Sequence, residues 1–391
     1  CLQERDLLLE NAPHLVKSLK FIYPVYKGDL RPLWKIKLGL FLYDCLKGTS
    51  ILPRHRSTSP EEIRHLFPSL KAEGLKGGCL YYDALMQDER LVIENMRSAE
   101  EAGAVCRNYC EVTSLIKDNG RVTGVKYRDR LHRKEEKIAH ARYVINATGA
   151  WSNGILQMDT PSPKVGVRPT KGIHLILPQM NKDHALILSA PQDNRIFFLI
   201  PWNGYSILGT TDSPYQGDLN KLEVLPEEMH YLLDALSHYF PHAPLDENAI
   251  ISTFVGLRPL VDHHLAKANL GREHYIEASS SGLVTVLGGK YTTHRKMAEE
   301  AVDTALGREE RLRHPSVTKN RTLHGGGKCS SLERLNGSLS QETLNHLIAT
   351  YGSAASEVLA IIHENPAEAK QLCPHHPHLL GEVTHAIENE H

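Results

Sequence analysis

The chain has 391 residues, enough for roughly two to three domains, and its 41% apolar residues and 28 glycines exclude disorder as the main state. With 45 Lys+Arg against 46 Asp+Glu, the net charge of -1 argues against a dedicated nucleic-acid binder. No apolar run is long enough for a transmembrane helix, there is no signal-peptide pattern, and seven scattered cysteines without a C-x-x-C favour reduced thiols over a disulfide framework.

Residues 1–50 read as helix and loop. Glu4–Leu9 is a charged then apolar stretch closed by Ala12-Pro13. The segment Trp34–Tyr43 mixes apolar and aromatic residues with Lys35 and Lys37. It reads either as a helix packed on the body of the protein or as an interfacial membrane helix. Asp88 is a candidate N-cap for a helix that places Leu91, Val92, Met96 and Ala99 on one face, with Gly103 closing it. Ala104–Cys106 and Val112–Ile116 read as strands, Asn119-Gly120 as a hairpin turn, and Val122–Tyr127 as the return strand. Tyr143–Ala147 reads as a buried strand running into Thr148-Gly149-Ala150, an α/β pattern.

From 161 to 255 the texture becomes β-branched and aromatic. Strands are expected at Ile173–Leu177, Ala185–Leu188, Arg195–Ile200, Tyr205–Leu208 and Ile250–Val255, in a mostly antiparallel sheet. One helix starts at Pro226 and turns Met229, Leu232, Leu233 and Leu236 inward. Leu283–Leu287 is a buried strand followed by a helix with Met297, Ala298, Ala301, Val302 and Ala305 inside. Residues 308–330 look like a linker, and the rest is expected to be helical, with Ser340 capping the first helix. The Cys106/Cys110 pair, and the run containing Cys373, His375, His376 and His378, read as structural, so no metal site is expected.

Four segments end strands in small residues: Asn146–Trp151, Leu208–Asp212, Gly256–Leu260 and Gly288–Thr293. Small residues there let backbone N–H groups approach a ligand, and strand ends are where α/β sheets bind ligands. With Ala12-Pro13-His14, Arg31–Trp34, Lys37–Asp44, Asp88–Val92, Lys171–His174, Pro201-Trp202 and Tyr351-Gly352-Ser353, they give the chain its resemblance. Over nearly its whole length it resembles the flavin-dependent, quinone-linked glycerol-3-phosphate dehydrogenases, the aerobic bacterial kind most closely.

The resemblance implies an incomplete FAD-binding Rossmann-like α/β domain, an antiparallel-sheet α+β substrate domain and a C-terminal α-helical domain. The expected division is 1–50, 81–155 and 256–307 for FAD, 51–80 and 156–255 for substrate, and 318–391 for the helical domain. The sequence contains no G-x-G-x-x-G. The family's diphosphate turn would precede Cys1 and an Arg-rich segment would follow His391, so the chain is expected to be a fragment.

By the same resemblance Arg258 matches the arginine that binds substrate phosphate, a role suited to a guanidinium fork. Lys290 matches a lysine near flavin and substrate. His174 matches a pocket histidine and is a candidate base for the substrate C2 hydroxyl. Asp212 and Thr211 shape the pocket. On the cofactor side Val112 matches the adenine contact, Ala147, Thr148 and Gly149 the pyrophosphate turn, and Gly289, Lys290, Tyr291 and Thr292 the isoalloxazine edge.

The implied activity is oxidation of glycerol 3-phosphate with FAD and a quinone acceptor, in a cytoplasmic protein peripheral on the inner membrane face, with a homodimer left open. The alternatives are an oxygen-using glycerol-3-phosphate oxidase, an amine or amino-acid oxidase, a non-catalytic remnant without a flavin site, and a peripheral membrane scaffold.

Overall fold

The computed structural model describes residues 1–47, 50–131, 135–263, 273–328 and 339–390. The first part contains α1 (Leu2–Asn11), β1 (Val16–Tyr26), α2 (Leu33–Leu46), β2 (Arg56–Thr58), α3 (Pro60–Leu66), β3 (Leu75–Met86) and α4 (Asp88–Glu101). Next come β4 (Cys110–Asp118), β5 (Arg121–Asp129), β6 (Glu136–His140), β7 (Val144–Asn146), α5 (Ser152–Asp159), β8 (Val165–Pro178), β9 (His184–Ser189), β10 (Ile196–Trp202), β11 (Tyr205–Gly209) and β12 (Ser213–Pro214). There follow α6 (Pro226–Tyr239), β13 (Ser252–His263), β14 (His274–Ala278), β15 (Leu283–Gly288) and α7 (His294–Arg313, broken at Gly307). The C-terminal part holds α8 (Gln341–Tyr351), α9 (Ala355–Glu364), β16 (Gln371–Cys373), β17 (His376–Leu379) and α10 (Leu380–Asn389).

A nine-stranded sheet dominates, in the order β12-β8-β11-β10-β9-β1-β3-β2, with β13 on the other side of β8. It is antiparallel except where β1 runs parallel to β9. Strand alternation sorts its two faces. Ile173, Leu175, Leu177, Leu186 and Leu199 point into a core closed by Ile63 and Phe67 of the α3 segment and by Leu232, Leu233 and Leu236 of α6. The opposite face is aromatic and only partly covered, with Phe21 stacked on Tyr81 and set edge-on to Phe198. A smaller sheet, β14-β15-β7, joins β7 and β15 in parallel, and β4-β5-β6 forms a third.

Several readings need correction. Residues 1–50 are not all helix and loop: Val16–Tyr26 is a strand in the middle of the large sheet, with Ile22 and Val25 buried, and it draws residues from both sides of the expected division into one sheet. Ala104–Cys106 forms no strand, because the chain only turns out of α4 there through Gly103 at φ 90. Tyr143–Ala147 is not a buried strand. It is the three-residue β7, paired on one side only among the described residues, and Ile145 is left exposed. Ala301 is buried but Ala298 and Val302 are not; both face an apolar cleft of 470 Å³ between α1, α4 and α7. The C-terminal part is also not wholly helical, since β16 and β17 form a hairpin. Six described cysteines are free; Cys329 lies outside the described residues, and the expected linker 308–330 begins as helix, since α7 resumes after its break at Gly307 and continues to Arg313.

Helix α2 buries none of its residues. Trp34, Leu38, Phe41, Leu42 and Leu46 are exposed, while Tyr43 and Asp44 fasten the other side through Arg5, Tyr81 and His55. The reading as a helix packed on the body therefore holds for one side only. Among the described residues no helix is long and apolar enough to cross a membrane.

The C-terminal part docks on α4 through charge. Arg90 pairs with Glu94 (2.9 Å) and Glu390 (2.7 Å), and Arg97 with Glu357 (3.3 Å). His385, fully buried, lies 2.9 Å from Glu357 and 3.4 Å from Glu390. Burial alone would lower the His385 pKa, but the two carboxylates win and raise it to about 9. Glu390, against burial, is drawn down to about 2 by His385 and Arg90. A raised histidine stabilises the fold fully below its unfolded pKa of about 6.5, and that gain disappears as pH rises to its folded value. The depressed Glu390 contributes above its unfolded value and loses its share as pH falls toward 2. Thermal melts are expected to weaken from pH 6.5 to 9, by up to about 3 kcal/mol from this histidine. A His385→Gln chain should lack that slope, and an equal slope in both would refute the assignment.

Candidate active site

Three glycines clear the aromatic face of the large sheet. His174 on β8 stands opposite Gly209 of β11 and Phe254 of β13, and Gly172 stands opposite Gly256. Directly paired residues share a face, so this row and Arg258, opposite Thr170, all project to the same side. A Cβ at Gly209 would collide with the His174 ring, and one at Gly172 with the Arg258 guanidinium. Nothing lies within 4 Å of where a Gly256 Cβ would be. The result is an open floor at Gly256, with His174 and Phe254 on one side and the Arg258 cation on the other. Phe254 is 45% exposed and stacks on His174 at 4.6 Å between ring centroids.

The Leu208–Asp212 segment aims Arg258. Its Nη2 donates to Thr210 Oγ1 (2.8 Å), and its Nη1 donates to the Thr211 carbonyl (3.2 Å) and lies 3.3 Å from Asp212 Oδ1. Thr211 is buried, and its hydroxyl accepts from the Ile173 N–H (3.0 Å), tying this loop to β8. Asp212 is fixed from behind, its carbonyl accepting from Arg195 (2.7 Å). His174 is half-buried, and its pKa is lowered to about 4, first by desolvation and then by the Arg258 charge, with Asp88 opposing. The imidazole is therefore neutral at pH 7, and it is a weaker base than the unperturbed histidine expected from sequence.

A second cluster lies at the ends of the parallel pair. Because β7 and β15 run the same way, with Asn146 beside Thr285, their following loops emerge at one end. In the first loop Ala147 and Thr148 are exposed, Thr148 donates to Asn146 Oδ1 (2.6 Å), and Gly149 takes φ 56. In the second, Gly288 and Gly289 take φ 67 and 91, and Lys290 is exposed. Gly288 packs against Val261 and Pro259, which brings this turn alongside the strand that carries Arg258. Tyr291 donates to the Asp88 carbonyl (3.1 Å) at the start of α4, and Thr292 follows in the same turn. Val112 lies apart, on β4 opposite Tyr127. The sequence reading missed Thr210 and Phe254. Phe254 was findable, because strand alternation from Gly256 and Arg258 puts it on their face.

The loops fit one side of a flat dinucleotide. A side chain at Gly149 would meet nothing within 4 Å, leaving backbone exposed beside Ala147 and Thr148. The hydroxyl of Thr285 is buried without a partner beneath them. The other half of a diphosphate cradle, a G-x-G-x-x-G turn, is not in the sequence.

Residues 1–295 match the family model for FAD dependent oxidoreductases, and residues 316–391 match that for the C-terminal domain of alpha-glycerophosphate oxidase. The chain belongs to the FAD-dependent oxidoreductase family and, within it, to the glycerol-3-phosphate dehydrogenases. It is 33% identical to the Synechocystis glycerol-3-phosphate dehydrogenase, covering all of this chain and 74% of that one. It is also 33% identical to the aerobic glycerol-3-phosphate dehydrogenase of Bacillus subtilis, over 99% of this chain and 73% of the relative. The solved glycerol-3-phosphate dehydrogenase of Bacillus halodurans, complexed with FAD, is similar at a TM-score of 0.81 and 28% identity, over 99% of this chain and 73% of that one.

Proposed function

We propose that the chain oxidises glycerol 3-phosphate to dihydroxyacetone phosphate at the Gly256 floor. The observation that carries this is the pairing of a cation and a neutral imidazole across an open, side-chain-free strip of sheet. Arg258, aimed by Thr210, Thr211 and Asp212, offers its positive charge to the phosphate, and that charge-assisted contact orients the molecule. His174 then faces the carbinol end and takes the C2 hydroxyl proton on its free ring nitrogen. A phosphate dianion beside Arg258 offsets the charge that depresses His174, so substrate binding itself raises the basicity of the imidazole. Phe254 gives the Gly256 floor an apolar wall beside the carbinol carbon. Lys290, from the neighbouring turn, adds positive charge on the cofactor side. FAD, when bound at the Ala147–Gly149 and Gly289–Thr292 loops, supplies the two-electron acceptor.

The test is stopped-flow bleaching of the flavin-loaded enzyme by glycerol 3-phosphate under anaerobic conditions. His174→Ala is expected to slow flavin reduction by about 10²- to 10⁴-fold. Unchanged reduction would remove His174 as the base, and no bleaching in the parent enzyme would overturn the substrate.

The acceptor is a quinone in this reading, supported by the exposed apolar side of α2, where Trp34 and Lys35 suit a headgroup layer. The flavin-reduced enzyme is expected to favour quinone over oxygen and to sediment with anionic liposomes. Leu38→Glu with Phe41→Glu should abolish sedimentation and leave flavin reduction intact. Sedimentation that survives both changes would remove α2 as the contact.

A further inference from the structure

The C-terminal domain gathers three metal-type donors that lie far apart in sequence. His346 on α8, His378 on β17 and Glu382 on α10 present ligand atoms that all lie within 4.8 Å of one another. The His346 Nε2 is 2.8 Å from Glu382 Oε2, and His378 Nδ1 is 3.7 Å from the same oxygen. The two imidazoles meet edge to face at 4.2 Å. Among the described residues this is the one such group of three or more.

We propose that these three side chains form a binding site for a borderline first-row divalent cation of the zinc type, with water completing the coordination. Two imidazoles and one carboxylate form a donor set typical of tetrahedral zinc and a poor one for magnesium or calcium, which prefer oxygen.

The positions are held by the fold. Glu382 is the third residue of α10, and its Oε1 accepts the Leu379 N–H (2.8 Å) in the helix cap, which leaves Oε2 facing the histidines. Tyr351 donates to the same Oε2 (3.4 Å) as an outer partner. His346 Nδ1 lies 3.5 Å from the Thr350 hydroxyl one turn along α8, a partner that leaves the Nε2 lone pair for a metal. Glu382 is buried while His378 is 53% exposed, so the site is anchored at its base and open at its mouth. Tetrahedral bonds of zinc length place donors about 3.3 Å apart, between the 2.8 and 3.7 Å that separate Glu382 Oε2 from the two histidines. Rotation of the exposed His378 suffices to close the set.

A bound ion would join α8, the β16–β17 hairpin and α10, three elements otherwise held by one small apolar cluster around Leu347, Val358 and Leu379. The sequence reading looked for ligands within the Cys373–His378 run. Two of the three donors lie outside it, on helices that only the fold brings together.

The experiment loads the full chain, stripped with chelator, with Zn²⁺ and separately with Co²⁺. One equivalent of Zn²⁺ is expected to bind and raise the melting temperature, and Co²⁺ is expected to give the intense visible bands of tetrahedral coordination. His378→Ala and His346→Ala should each weaken binding by at least about tenfold, whereas the remote surface change His242→Ala should not. Because His378 is exposed, its variant is expected to melt like the parent chain in chelator, which separates lost binding from lost folding. Equal zinc binding in the parent and both variants, or Mg²⁺ matching Zn²⁺, would overturn the site and assign the three residues to a hydrogen-bonded cluster.

Discussion

Arg258→Ala is expected to raise the apparent constant for glycerol 3-phosphate by one to three orders of magnitude, roughly 1.5–4 kcal/mol, in the flavin-loaded enzyme. The side chain crosses the strip above Gly172 and is aimed by Thr210, the Thr211 carbonyl and Asp212. Those partners hold the guanidinium in place before substrate arrives, so little side-chain freedom is lost on binding. Arg258→Lys keeps the charge but loses the fork, and it should fall between parent and alanine. Thr210→Val removes the Nη2 partner without touching the charge and should produce a smaller rise of the same kind. If the constant for glycerol 3-phosphate stays level in Arg258→Ala, the phosphate binds elsewhere and Lys290 becomes the next cation to test. A fall in maximal rate with an unchanged constant would instead give Arg258 a role in the reacting step.

The second large effect is on stability. Arg90→Ala is expected to cost about 3–5 kcal/mol, because it leaves Glu94 buried without its arginine and takes from Glu390 one of its two cationic partners, the other being His385. Glu94 is completely buried, and burial already raises its pKa despite the arginine 2.9 Å away. One of its oxygens has no partner. Arg90 also lies over the Tyr351 ring at 4.8 Å, so its loss removes packing between α4 and α8 as well as charge. A melt of the full chain should show the drop. Arg64→Ala, which breaks an exposed pair to Glu61, should stay within about 0.5 kcal/mol. Neutralising the stranded partner with Glu94→Gln beside Arg90→Leu is expected to recover part of the loss, with Glu390 left in place for His385. No recovery would mean that the ring contact, not the charge, holds the two parts together.

Much of this was legible in the sequence because periodicity survives where one face is buried. The helix expected at Pro226 and the strands expected at 173–177, 195–200 and 283–287 overlap α6, β8, β10 and β15, although β8 is much longer than its expected stretch. The strand at Val16–Tyr26 was hidden, since Lys17, Ser18 and Lys20 interrupt its apolar residues and Pro24 mimics a break. Val302 and Ile145 read as core because apolar spacing cannot tell a packed face from one that borders a cleft or a sheet edge. Within the candidate site, three of the four small-residue segments were visible as strand ends, but Gly256–Leu260 lies inside β13 and not at its end, because the strand continues its pairing with β8 to His263. The row Phe254, His174, Gly209 was not visible, since it depends on register between three strands that are distant in the chain.

That register turns the sheet into a measuring rod. Phe254 and Arg258 are four residues apart on β13, about 13 Å at the usual rise, and the arginine leans back two residues to lie above Gly172. The imidazole and the cation are thereby separated by about two residue steps, roughly 7 Å. Backbone pairing permits this interval to change only in whole notches, and a slip of one notch turns every side chain to the wrong face. With the phosphate on Arg258 and the carbinol at His174, as proposed, this interval would set the length of phosphate ester the strip accepts, and it is fixed by the ladder of β8 and β13.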